Sequence, residues 1–206
     1  MPAGGRGERF GGTTPKQLVE IDGKPLLTWT LERLLAAGLD GLTVALPESW
    51  LQTISRIFDD RAAVTWVAGG ETRQDSVAAC LRAAPEDVHL MLVHDGARPA
   101  VAVRDVQATV AAVGDDHGAV LGRPVVDTIK RLDGDRIIET VDRRALFRAE
   151  TPQVFRREIL SQALERCARE EFTGTDEATA VERLEGARIN VARATLPNPK
   201  PGSYTH

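Results

Sequence analysis

His89-Leu90-Met91-Leu92-Val93-His94-Asp95 is the stretch on which the fold turns. It is apolar almost without interruption until it meets His94 and Asp95. A strand wetted on one face alternates polar and apolar residues, whereas a run like this one reads as a buried central strand of a parallel sheet. On its N-terminal side, helical spacing recurs over Leu26 to Ala37, Ser49 to Phe58 and Thr72 to Ala84, with short strands at Leu42 to Leu46 and Val64 to Val67. Pro25 suits the first of these helices as a start and Gly38 as a stop. On the C-terminal side, a helix over Val103 to Val113 precedes a strand at Gly118 to Leu121. Strands and helices in alternation specify an α/β sandwich.

The pattern changes after Arg123. Val125 to Arg131, the turn Leu132-Asp133-Gly134-Asp135, and Arg136 to Val141 read as a β-hairpin. Too short and polar for a βαβ sheet, it is expected to project as an arm over residues 125–143. Helices at Phe155 to Glu170 and Thr175 to Leu184, then a strand at Arg188 to Ala194, complete the chain. Thr175-Asp176-Glu177 reads as a capped helix start with acids at the positive end of the macrodipole. The whole length, 206 residues, is expected to form one domain.

Composition narrows the function. A formal charge of -4 argues against a non-specific nucleic-acid binder, which carries a basic face, yet leaves room for a local basic pocket. Cys80 and Cys167 lie in helical runs without metal-ligand spacing, so two free thiols in a reducing, cytoplasmic setting are expected. There is no secretory leader and no long apolar span, so no membrane is implicated.

Chemistry concentrates in a few places. Pro2-Ala3-Gly4-Gly5-Arg6-Gly7-Glu8-Arg9-Phe10, followed by Pro15-Lys16-Gln17, is a glycine-rich loop opening onto cations. Gly4, Gly5 and Gly7 allow backbone N–H groups to approach an anion, and Arg6, Arg9 and Lys16 can surround a polyphosphate. The loop lacks the Lys-Ser/Thr ending of a Walker A motif and the spacing of the dinucleotide fingerprint. A phosphate-binding turn should follow a buried strand, and this one opens the chain. His94-Asp95-Gly96-Ala97-Arg98-Pro99 places Asp95 at the carboxyl end of the apolar strand, where open α/β sheets bind ligands. A carboxylate there can hold Mg²⁺ against nucleotide phosphates; the same residues also suit a capped turn with an Arg98–Asp95 ion pair. His94 reads as a packed, hydrogen-bonded residue. Gly69-Gly70-Glu71-Thr72-Arg73-Gln74-Asp75-Ser76 reads equally as a base-edge contact or as an ordinary loop before a helix. Thr128 and Arg143 on the hairpin could bind a phosphate monoester, in this or another subunit. Lys200 is the cation of the final loop able to return to the first pocket.

Five segments in order, PAGGRGERF, PKQ with GKPLL, GGETRQDS, HDGARP, and DTIK with TVDR and TPQ, make the chain resemble the 2-C-methyl-D-erythritol 4-phosphate cytidylyltransferases from Pro2 to about Lys200. The resemblance implies a Rossmann-like, mostly parallel sheet flanked by helices. It implies a Mg²⁺-dependent enzyme that joins CTP to a sugar-alcohol phosphate in non-mevalonate isoprenoid synthesis, working as a homodimer through the arm. Ala3, Gly4, Gly5 and Gly7 then bind the triphosphate, with Arg9, Lys16 and Lys200 around the α-phosphate. Gly70, Glu71 and Ser76 match the cytosine and ribose side, and Asp95 matches the metal-binding aspartate. Thr128, Arg143 and Thr151 match positions that handle the acceptor phosphate, and Arg98 belongs to the HDxxRP motif. The family's first strand before PAGG is missing from the pattern. Its Asp-Asn-x-Lys segment reads Pro197-Asn198-Pro199-Lys200, so Pro197 offers no carboxylate. The expected reaction is attack of the acceptor phosphate on the α-phosphorus of CTP with loss of pyrophosphate. The alternatives are a ribitol 5-phosphate cytidylyltransferase and a nucleotide-binding homologue with impaired catalysis.

Overall fold

The computed structural model describes residues 1–4, 16–58 and 63–200. The elements follow the expected alternation. Two short strands, β1 (Glu20–Ile21) and β2 (Lys24–Pro25), precede α1 (Leu26–Ala36); β3 (Leu42–Leu46), α2 (Glu48–Ile57), β4 (Val64–Ala68) and α3 (Arg73–Ala83) come next. Then come β5 (Leu90–Val93), α4 (Val103–Ala112), β6 (Gly118–Pro124), the arm strands β7 (Ile129–Asp133) and β8 (Arg136–Val141), β9 (Phe147–Arg156), α5 (Arg157–Arg169), α6 (Glu177–Val181) and β10 (Ile189–Arg193).

β5 closes the four-stranded order β10-β6-β9-β5 with an antiparallel ladder, a correction to the central strand of a parallel sheet that its apolar run suggests: only Val93 of its four residues is buried. On one side it pairs with β9, and the order continues through β6 to β10. On the other side Gly96 N–H donates to Pro2 O, and Pro2 bridges in parallel to Ala45 of β3, which pairs with β4. Residues 1–3 thus occupy the strand position that the phosphate-loop argument required. β3–β4 and β6–β10 run parallel. β9 lies antiparallel to both β5 and β6, a strand that sequence reasoning missed. Its sequence, FRAETPQVFR, carries Glu150, Pro152 and Gln153, and proline in a run argues against a central strand. The structure accommodates it at an irregularity: Ala149 pairs with Gly122 and Gln153 with Val120, so three residues of β9 stand opposite Leu121 alone. Proline lacks the N–H that a regular ladder needs, and a bulge does not ask for it.

Side chains alternate across the sheet and build a core on each face. Leu121 joins Leu27, Leu31, Leu34, Ile54 and Val106 beneath α1, α2 and α4. Its neighbour Val120 joins Val77, Leu160, Ala163 and Val181 beneath α3, α5 and α6. Cys80 and Cys167 are free and buried. The first arm strand begins at Ile129 rather than Val125, because residues 125–128 lie outside the ladder. Its turn places Gly134 at φ +55°, a conformation glycine adopts without a Cβ clash. Among the described residues no helix is long and apolar enough to cross a membrane.

Candidate active site

The carboxyl end of β5 delivers Asp95 into a ring of cations. Arg73 Nε lies 3.0 Å from Asp95 Oδ1, Lys200 Nζ 2.9 Å from Oδ2, and Arg98 Nε 3.4 Å from Oδ2. Arg73 also grips Glu177 through Nη1. Burial by itself would raise the Asp95 pKa, but the charges of Arg73 and Lys200 outweigh it and hold the carboxyl well below the usual range. Burial works against the charge of Arg73 too, and Glu177 and Asp95 more than compensate, keeping it firmly protonated. Glu177 is only 2% exposed. Burial pushes its carboxyl up against the pull of Arg73, and its Oε2 has no hydrogen-bond partner among the described residues. Two carboxylates thus face three cations, a positive excess suited to an anionic ligand.

Each member is set by its element. Arg73 is the first residue of α3, whose N-cap Thr72 exchanges side-chain hydrogen bonds with Asp75 in a capping box. Glu177 opens α6, fixed by Gln153 of β9, which donates to Asp176 Oδ2 and accepts from Ala178 N–H. The acids read as dipole partners therefore divide the work: Asp176 caps the helix through Thr179 N–H, while Glu177 turns to Arg73. Sequence reasoning gave Arg73 no role of its own and Glu177 only that of a helix-dipole partner. The available signal was their place as the first residues of α3 and α6, which singles out a position but not a partner.

His94 is fully buried and orders the turn that follows Asp95. Its Nε2 lies 3.1 Å from Arg98 O, a carbonyl that can only accept, so Nε2 carries the proton. Nδ1 then accepts from the Thr151 hydroxyl at 3.0 Å, and that oxygen accepts from Asp95 N–H at 3.2 Å. Burial lowers the His94 pKa to about 4, so the ring is neutral at pH 7. The packed-histidine reading holds. Thr151 itself is buried beside the β9 irregularity.

Residues 1–4 and 16–18, the described ends of the first loop, lie beside the Gly96 turn. Ala3 is buried, and a Cβ on Gly96 would stand 2.9 Å from the Ala3 Cβ. The Gln17 side-chain amide donates to Ala3 O. The neighbour of Lys16 and the neighbour of Asp95 therefore both bind residues 2–3. Gly4 lies against Pro47, and Lys16 begins a 3₁₀ turn through Leu18. Gly5, Gly7, Arg9 and the Lys16 side chain lie outside the described part of the structure. Gly70 precedes α3, where a Cβ would fall 2.2 Å from Asp75 Cβ. Ser76 is buried and its hydroxyl donates to Thr72 O, while Glu71 is exposed. At the base of the arm Arg143 Nη1 donates to Val126 O, two residues before Thr128, at 2.6 Å. The Asp95 cluster is built from other elements.

The profile of the 2-C-methyl-D-erythritol 4-phosphate cytidylyltransferases matches residues 1–200. The chain belongs to that family. A Salinibacter ruber member is 43% identical over 191 residues, covering 90% of this chain and 79% of that protein. One from Frankia casuarinae is 42% identical over 187 residues, covering 89% and 68%. The crystal structure of the Thermus thermophilus enzyme of that name superposes with a TM-score of 0.78 at 28% identity, covering all of this chain and 91% of the other. The Anaerococcus prevotii 4-diphosphocytidyl-2C-methyl-D-erythritol synthase superposes at 0.85 over 97% of this chain and 89% of its own, at 23% identity, a likeness of fold. The α/β fold is the one these solved structures share.

Proposed function

We propose that this protein transfers the cytidylyl group of CTP to 2-C-methyl-D-erythritol 4-phosphate, releasing pyrophosphate, in the non-mevalonate route to isoprenoid precursors. The observation that carries the reading is the cationic ring around Asp95 beside the start of the glycine-rich loop. An acceptor phosphate oxygen attacks the α-phosphorus of CTP, and no protein nucleophile is needed because positioning and charge stabilisation carry such chemistry. Gly4, Gly5 and Gly7 cradle the triphosphate with Ala3, while Arg9, Lys16 and Lys200 stabilise charge at the α-phosphate and leaving group. Gly70, Glu71 and Ser76 face the cytidine. Thr128 and Arg143 on the arm take the acceptor phosphate, together with Thr151 and Arg98 from the Asp95 cluster.

Among the described residues there is no set of three or more potential ligands able to enclose a metal ion. Mg²⁺ does not need one: it binds through one or two carboxylates together with substrate phosphates and water. Asp95 fits as that single carboxylate. Bound there with the nucleotide, Mg²⁺ would neutralise phosphate charge. The arm supports a homodimer, since Leu132 and Ile137 form a directly opposed apolar pair exposed to solvent. The cytoplasm, where both free cysteines stay reduced, suits such an enzyme.

The test is pyrophosphate release with CTP and Mg²⁺. It is expected with 2-C-methyl-D-erythritol 4-phosphate, and it should stop on chelation of the metal. Turnover with ribitol 5-phosphate alone would reassign the acceptor, and turnover with neither would overturn the reading.

A further inference from the structure

Lys200 reaches Asp95 from a segment without helix or strand. Residues 194–200 contain Pro197 and Pro199, which cannot join a ladder, so the backbone must be held by side chains. Thr195 is fastened to the buried Asp105 of α4, which accepts from its N–H at 3.0 Å and its hydroxyl at 2.6 Å. Arg123 Nη2 donates to Leu196 O. The last fastening is at Asn198. Its Nδ2 donates to Thr151 O at 2.7 Å, and its own carbonyl accepts from Arg98 Nη1 at 2.6 Å. Asn198 is 3% exposed and is the one buried residue between 193 and 200, two positions before Lys200. The Lys200 side chain is 37% exposed, so its own packing does little to place it.

The amide orientation is determined, because an amide oxygen could not donate to Thr151 O. That leaves Oδ1 buried with no partner among the described residues. A segment that keeps an unpaired buried oxygen bears a desolvation cost, and an apolar residue there would avoid it. What the asparagine gains is the Nδ2 bond to Thr151, the same residue whose hydroxyl holds Asp95 N–H and His94.

We propose that Asn198 is a positioning residue that sets Lys200 against Asp95 by latching the C-terminal segment to Thr151 and Arg98. The inference rests on the reading of Lys200 and Asp95 as parts of the reaction centre. The experiment compares wild type, Asn198→Ala, Lys200→Ala and the double variant. Without nucleotide or metal, acylation of Lys200 by an amine-reactive ester is followed by mass spectrometry, with Lys24 and Lys130 as internal references. Asn198→Ala should speed acylation of Lys200 about tenfold and leave the references unchanged, because a nitrogen held 2.9 Å from the Asp95 carboxylate is shielded from the reagent. In turnover, Asn198→Ala should lower kcat about tenfold with a smaller change in the KM for CTP. The double variant should be no slower than Lys200→Ala, since residues acting through one another are non-additive.

Unchanged acylation of Lys200, or losses in kcat that multiply, would overturn the proposal. If Lys200→Ala keeps full kcat, the catalytic reading of Lys200 fails, and acylation alone then decides the latch. Should Asn198→Ala not fold, Asn198→Leu preserves the volume, removes the Nδ2 donor, and carries the same expectations.

Discussion

Asp95 is a carboxylate whose neighbours define its chemistry. Three cations hold it ionised at any physiological pH, and the turn behind it is set by a neutral imidazole. That imidazole has a thermodynamic signature. His94 has its pKa lowered to about 4 in the folded protein, against about 6.5 unfolded. Between those values the unfolded chain binds the extra proton, so stability rises with pH there and is lost as pH falls from about 6.5 towards 4. The full shift corresponds to ~3 kcal/mol. Glu177, shifted the opposite way, works against this trend over part of the same range. The informative quantity is therefore the difference between wild type and His94→Gln in urea unfolding, which should shrink as pH drops from 7 to 4.5. A constant difference would place the His94 proton elsewhere. Lys16 is expected to act on the transition state. Lys16→Ala should lower kcat by the equivalent of ~2–4 kcal/mol at saturating CTP, and unchanged turnover in that variant would remove Lys16 from the chemistry.

Elements position these residues through their ends. α3 begins at Arg73, so its capping box both terminates the helix and aims the guanidinium at Asp95 and Glu177. Thr72→Ala removes the acceptor for Asp75 N–H and the hydroxyl bond to Asp75 Oδ2. The loss should be ~1 kcal/mol of stability by chemical denaturation, with a fall in kcat larger than that stability change explains at assay temperature. Full activity in Thr72→Ala would show that Arg73 is held by its ion pairs without the cap. At this scale sequence was legible where local chemistry decides. Pro25 before α1, Gly38 after it and Asp176 before α6 all mark helix ends by their own propensities. β9 was illegible because a strand can hold Glu150, Pro152 and Gln153 inside a sheet only when distant residues accept them. Arg123 pairs with Glu150, Leu121 tolerates the bulge, and α6 takes Gln153.

At the scale of the whole molecule the arm stands out. Leu132 and Ile137, 57% and 60% exposed, face each other across β7 and β8. An apolar pair left in water on a two-stranded ribbon is costly for the monomer and suited to burial against a second copy. Light scattering of the wild-type protein should give a dimer at micromolar concentration, and Leu132→Ser with Ile137→Ser should give a folded monomer. A wild-type monomer would remove the arm from assembly. The sequence by itself determined the alternation of strands and helices, the strand at Leu90–Val93 with Asp95 beyond its carboxyl end, and the order of the family's motifs. These follow from short-range periodicity and from residue types that only certain backbones or ligands accept. Only the tertiary structure decided that Arg73 bridges Asp95 and Glu177, that Asn198 fastens to Thr151 and Arg98, and that residues 1–3 pair beside β3. Pairings between residues roughly 20 to 100 positions apart, such as Lys200 with Asp95, leave no local pattern. They exist because the sheet brings strand ends together at one edge.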